Sequence, residues 1–91
     1  MNFIVEQNRI FLKDAAEKEV AEVTFPSLSD KVVTINHTFV DDSLRGQGVA
    51  GKLMETLAEE LNRRQMKARL SCSYAIKWFG EHVEYANVIE K

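Results

Sequence analysis

The chain has 91 residues, 45% of them hydrophobic and 29% charged, with a formal net charge of −2. That size and balance fit one small folded domain, expected over 1–91, with a modest core. They read as globular rather than disordered and argue against a general nucleic-acid or membrane-surface binder, leaving room for a local basic patch. The single cysteine, Cys72, excludes an internal disulfide. No cluster has zinc-site spacing, so no metal is expected. A reducing cytoplasm is the simplest compartment. No apolar run reaches membrane-spanning length, and "MNFIVEQNRIFLKD" lacks the basic start and unbroken apolar block of a signal peptide.

In chain order, "FIVE" and "RIFLK" read as two strands flanking Gln7-Asn8. Asn tolerates the left-handed conformation of a tight hairpin turn. "EKEVAEVTF" is a noisier third strand, with Val20, Val23 and Phe25 apolar and Glu22 out of phase. Pro26 ends it, and "PSLSDK" supplies turn residues. "VVTINHTFV", residues 32–40, is rich in β-branched residues and reads as one fourth strand. Then the period changes. Val49, Leu53, Leu57 and Leu61 recur every four residues, with Ala50, Met54 and Ala58 beside them. That is the apolar stripe of a helix, and Glu59–Arg63 and Glu60–Arg64 stand at supportive spacing on its outer face. "KARLSCSY" is a short fifth strand or its exit. "AIKWFGEHVEYANVIEK" holds one or two helical turns split near Gly80, anchored in the core by Trp78 and Phe79. The expected class is α/β (α+β): a mostly antiparallel meander, a crossover helix that makes the fifth strand parallel to the fourth, and a short C-terminal helix.

"RGQGVAGK", residues 45–52, fits three glycine templates. Gly46, Gly51 and Lys52 fit a Walker loop, but the next residue must be Ser or Thr to hold magnesium, and here it is Leu53. Gly46, Gly48 and Gly51 fit G-x-G-x-x-G. That motif needs an acidic residue about 20 positions later, where the sequence reads "MKARLSCS". Arg45, Gly48 and Ala50 fit the third, R/Q-x-x-G-x-G/A, between a strand and an amphipathic helix. A loop of this kind brings backbone close to a pyrophosphate and aims the unpaired N–H groups of a helix start at it.

With "FVDDSLRGQGVAGKLMETL" in place, the sequence resembles the GNAT superfamily of acetyl-CoA-dependent acetyltransferases. "NHTFVDD", "LSCSY" and "EHVEY" narrow the resemblance to a small stand-alone GNAT-like family. That family typically shows His-Thr, Cys-Pro-Tyr and His-Pro-Glu-Tyr. Ser73 and Val83 stand here where the prolines would, while Cys72, Tyr74, His82, Glu84 and Tyr85 keep register. The resemblance covers most of 36–85. It implies a truncated GNAT fold, splayed between the fourth and fifth strands, with acetyl-CoA or coenzyme A as cosubstrate and an amine acceptor, a protein or a small molecule. Arg45, Gly46, Gln47, Gly48, Val49 and Ala50 would grip the pyrophosphate. Phe39 and Val40, ending the fourth strand, would pair with the pantetheine arm, and the Val40 N–H would hold the thioester carbonyl. Gly51 serves the motif or simply permits close packing. Lys52 contacts a phosphate of the nucleotide end or is an ordinary exposed lysine.

The same resemblance suggests candidates for the chemistry. Cys72 would lie near the thioester and could carry the acetyl group, or it is a small buried hydrophobe. Tyr74 would protonate the departing thiolate or form an aromatic wall. His37 shares a strand face with Phe39; it would act as base or activate Cys72 if that face lines the cleft, or it is a strand histidine satisfied by a neighbour. His82 is expected to be structural, and Asp41 and Asp42 to build the turn. Full-length GNAT domains carry helices after the first strand that form much of the acceptor site. Their absence here leaves a second reading, a coenzyme A-binding module with little catalysis of its own or one that acts with a partner. A monomer is favoured.

Overall fold

The computed structural model describes residues 2–90. The chain runs β1 (Ile4–Val5), β2 (Arg9–Lys13), β3 (Glu19–Thr24), β4 (Val32–Ile35), β5 (His37–Val40), α1 (Val49–Arg64), β6 (Lys67–Leu70) and α2 (Ser73–Glu81). A 3-10 turn over Asp42–Leu44 precedes α1, and a 3-10 stretch over Val83–Val88 follows α2. One antiparallel sheet has the order β1-β2-β3-β5, and β4 pairs parallel to β6. The mixed α/β class and the parallel crossover agree with the sequence.

The expected fourth strand is two strands. It breaks at Asn36, whose N–H donates to the Thr24 carbonyl (3.3 Å) and whose Oδ1 accepts from the Thr24 hydroxyl (2.6 Å). A side-chain bond of this kind competes with the ladder. Before the break β4 pairs with β6; after it β5 pairs with β3, from Thr24↔His37 to Ala21↔Val40. The Ile35 carbonyl accepts from both Ser71 and Cys72 N–H at 3.1 Å, and there β6 gives way to α2. β5 is left as an edge strand. This is the expected splay, built by one asparagine.

The noise in the third strand is a bulge. Leu12 faces Ala21 but Lys13 faces Glu19, so Val20 is the extra residue. It lets Val20 and Val23, three positions apart, both be buried, and leaves Glu22 apparently out of phase. The Val20 carbonyl accepts from the Asp41 N–H (2.8 Å), which fastens the end of β5. In the first hairpin Asn8 does not take the left-handed conformation; among described non-glycine residues only Glu17 and Gln65 have positive φ. Instead Asn8 Nδ2 donates to the Phe25 carbonyl (2.9 Å) and to Ser27 Oγ (3.1 Å).

Helix α1 buries Val49, Leu53, Met54, Leu57, Ala58 and Leu61 against Ile10, Val23, Phe25, Val33 and Ile35. Leu57 has no exposed surface. Leu57→Ala should therefore cost about 2–5 kcal/mol, read as a lower urea midpoint with an unchanged denaturant slope. Of the outer-face pairs, Glu60–Arg64 forms as expected and Glu59–Arg63 does not. Glu60 takes both Arg63 and Arg64, and Glu59 accepts from the Tyr85 hydroxyl (3.1 Å). Arg64 also donates to the Gln7 and Glu6 carbonyls, tying the helix end to the first hairpin. α2 is one helix running through Gly80, and the break falls at His82. His82 donates from Nδ1 to the Trp78 carbonyl (2.7 Å), and its ring stacks on Trp78 at 3.9 Å, which gives it the structural place expected.

Candidate functional site

The loop between β5 and α1 is shaped by two side chains and two glycines. Asp41 caps the 3-10 turn, accepting from Ser43 N–H (3.0 Å) and Ser43 Oγ (2.6 Å). Those bonds, aided by the Lys18 ammonium, hold its carboxyl below the ordinary carboxylate value. Asp42 takes the Arg45 guanidinium at 2.8 Å, with both side chains exposed. Gly46 (φ 82°) and Gly48 (φ 71°) are left-handed. A methyl added at either would meet nothing within 4 Å, so backbone conformation and not crowding requires glycine there.

Gly48 is the N-cap of α1 and has no side chain to cap it. The first helical bond runs from Lys52 N–H to the Gly48 carbonyl (3.1 Å). The N–H groups of Val49, Ala50 and Gly51 precede it and are the unpaired donors of the helix start. They border a cleft of about 570 Å³, walled by Val40, Asp41, Leu44, Arg45, Gly46, Gly48, Val49, Ala50, Gly51 and Tyr74. Gln47 and Lys52 are exposed and outside that wall. The Phe39 side chain is 42% exposed and alternates with Val40, so β5 gives Val40 to the cleft and turns Phe39 to the opposite face.

Across the cleft stands Tyr74, in the first turn of α2. Gly51 lets α1 and α2 meet here. A methyl on it would lie 3.4 Å from Trp78 Nε1 and 3.9 Å from the Tyr74 hydroxyl. Burial raises the Tyr74 phenol above its ordinary value, and the Glu81 carboxylate adds to the shift. The group is a neutral donor at physiological pH.

Cys72 precedes Tyr74 by two residues and is the N-cap of α2. It is half-buried. Its Sγ lies 3.5 Å from Thr38 Oγ1. Burial alone would raise the thiol pKa; the Thr38 hydroxyl and the nearby N–H groups of Ala75 and Tyr74 outweigh it and leave the thiol below its ordinary value. The sequence reading missed Thr38. Strand alternation could have found it, since Thr38 shares the inner face with Val40 while His37 shares the outer face with Phe39. His37 is exposed on that outer face, so the strand carries it away from the thiol and from the cleft wall. The site thus brings together the glycine loop, Val40, Tyr74, Thr38 and Cys72, and leaves out His37, Gln47, Lys52 and the Phe39 side chain. Among the described residues no group of His, Cys, Asp or Glu could hold a metal ion, and no helix is long and apolar enough to cross a membrane.

Comparison with known proteins gives the same architecture a family. The solution structure of a GCN5-like protein from Staphylococcus aureus superposes with a TM-score of 0.80 at 28% identity, covering 98% of this chain and 87% of that one. Rv2747 from Mycobacterium tuberculosis, solved in complex with CoA and NLQ, shares the fold at a TM-score of 0.66 and 18% identity, covering 85% of this chain and 48% of that one. Protein NATD1 of Xenopus tropicalis is 31% identical over 62 residues, 68% of this chain. The match spans only 57% of that relative's length. The family model of the GCN5-related N-acetyl-transferases matches residues 9–88, and the chain belongs to that family.

Proposed function

We propose that the protein binds acetyl-CoA in the cleft between β5, the start of α1 and α2, and transfers the acetyl group to an amine. The observation that carries this reading is the uncapped start of α1. Two left-handed glycines precede it, and the residues that carry its unpaired N–H groups line the cleft. Such an array suits a pyrophosphate better than any neutral ligand. Arg45, bound only to exposed Asp42, is free to turn to the same anion. The main chain of Phe39 and Val40 lies on the open edge of β5, where a pantetheine arm can add as a strand does, with the Val40 N–H toward the thioester oxygen. Rv2747, which shares the fold and was solved with CoA, supports the same ligand.

The thiol suggests a two-step route. The Cys72 thiolate attacks the acetyl carbonyl carbon, and the tetrahedral adduct collapses with cleavage of the bond to the coenzyme sulfur. The leaving thiolate keeps the electron pair and takes a proton from the Tyr74 hydroxyl. A neutral amine then attacks the acetyl-cysteine. The Cys72 thiolate departs, and the proton lost by the new amide nitrogen returns to Tyr74. The balance is acetyl-CoA plus amine giving amide plus coenzyme A. In direct transfer the amine attacks acetyl-CoA itself, and Tyr74 has the same task. Under either route Tyr74→Phe should lower turnover about a hundredfold or more and leave coenzyme binding intact.

A second reading, a coenzyme A-binding module that acts with a partner, is favoured by one feature. Only turns join β1, β2 and β3 among the described residues, so no helix walls an acceptor site there. Intact-mass analysis after incubation with acetyl-CoA, with and without candidate amines, separates the readings. Acetylated amine, or an acetyl group on the protein, supports transfer. Coenzyme binding with neither product supports the module.

A further inference from the structure

We propose that Thr38 is the positioning residue of the thiol: its hydroxyl donates to the Cys72 sulfur and aims it along the inner face of β5. The proposal rests on the reading that this thiol serves the acetyl site, and it gives to Thr38 the part that sequence reasoning offered to His37.

Three observations carry it. Thr38 Oγ1 and Cys72 Sγ are 3.5 Å apart, across 34 residues of chain. In the thiol either atom can donate. In the thiolate only the hydroxyl can, so the contact gains strength on deprotonation. Second, the sulfur stands at the N-cap of α2 without closing a formal capping bond. It is left to Thr38 to fix its direction, while the N–H groups of Ala75 and Tyr74 favour its charge. Third, Thr38 is two residues from Val40 on the same strand face, and Cys72 is two residues from Tyr74. Val40 and Tyr74 both line the cleft, so each member of the Thr38–Cys72 pair is two residues along the chain from a cleft residue.

No charged group takes the part of the hydroxyl. On β5, His37 points to the other face. On β6, Lys67 donates to the Asn87 carbonyl, and Arg69 pairs with Glu90 at 2.6 Å. On α2, Lys77 and Glu81 are exposed, as are Lys52 and Glu55 on α1. β-Branched threonine suits the strand, and its rigid χ1 keeps the hydroxyl in place.

The test is the pH profile of Cys72 alkylation by iodoacetamide, in the full chain without coenzyme. Thr38→Val keeps shape and branching but removes the donor. Its profile should move to higher pH, with reactivity at neutral pH down about tenfold, the scale of a lost hydrogen bond to a charged group. Thr38→Ser should restore most of the reactivity. A Thr38→Val profile that coincides with wild type overturns the proposal, and so does a Ser variant as impaired as Val. Thr38→Ala provides the same comparison if the Val variant does not fold. A separate arm measures acetylation of the protein by acetyl-CoA. A shifted alkylation profile with no acetyl adduct in wild type leaves the role of Thr38 standing and removes the acetyl-carrier reading. An adduct with an unshifted profile does the reverse.

Discussion

Gly48→Asp should abolish coenzyme A binding while the protein stays folded. Aspartate is among the few residues that tolerate the left-handed region, and Gly48 sits there at φ 71° with open space around a Cβ. The new carboxylate would stand at the N-cap and compete for the same N–H groups that await the pyrophosphate. It also adds like charge. At 4 Å and an effective dielectric near 20, one pair of unit charges repels by about 4 kcal/mol, which corresponds to roughly a thousandfold in affinity. Gly48→Ala separates conformation from charge. It strains the backbone by roughly 1–2 kcal/mol but places no anion at the site, so its loss of affinity should be much smaller. Calorimetric titration with coenzyme A measures both. A Gly48→Asp variant that binds like wild type would mean that the phosphate site lies elsewhere.

Cys72→Ala should remove the acetyl group that the wild-type protein acquires from acetyl-CoA without acceptor. The wild-type adduct should be a single acetyl group, released by hydroxylamine as a thioester is. Turnover on an amine should fall to background, while coenzyme affinity is unchanged, because the phosphate grip belongs to the loop before α1. Cys72→Ser keeps the size but supplies a far weaker nucleophile at neutral pH. Direct transfer predicts the opposite pattern: no adduct, and near-normal turnover in both variants. The wild-type reaction should also follow the thiolate, rising with pH through a midpoint below the ordinary thiol value. That is the direction set when the Thr38 hydroxyl and the nearby N–H groups of Ala75 and Tyr74 outweigh the effect of burial.

Much of this was legible in the sequence because it rests on local rules. The stripe from Val49 to Leu61 has helical period, and the helix buries it. The glycines of "RGQGVAGK" mark a loop between a strand and that helix, and the loop lies there; the left-handed backbone of Gly46 and Gly48 was not itself read from the sequence. What was not legible depends on a second segment of chain. "VVTINHTFV" looks unbroken because the bond that divides it comes from Thr24, twelve residues away. The Val20 bulge shows in sequence only as a misplaced glutamate, since the register belongs to the pairing with β2. His37 and Thr38 are neighbours with opposite directions. Which of them meets Cys72 follows from which strand face packs on α1, and that is a fact of assembly. Glu59 is drawn from Arg63 to Tyr85 by the C-terminal segment folding back across α1.

Backbone amide chemical shifts during coenzyme A titration show where on the chain the coenzyme sits. With coenzyme A at the start of α1, the largest changes should fall at Gly46, Gly48, Val49, Ala50 and Gly51, smaller ones at Val40 and Tyr74, and little change at the separate cleft around Asn8, Ser27 and Arg64. Saturable changes centred on that second cleft, or none along 46–51, would contradict that placement.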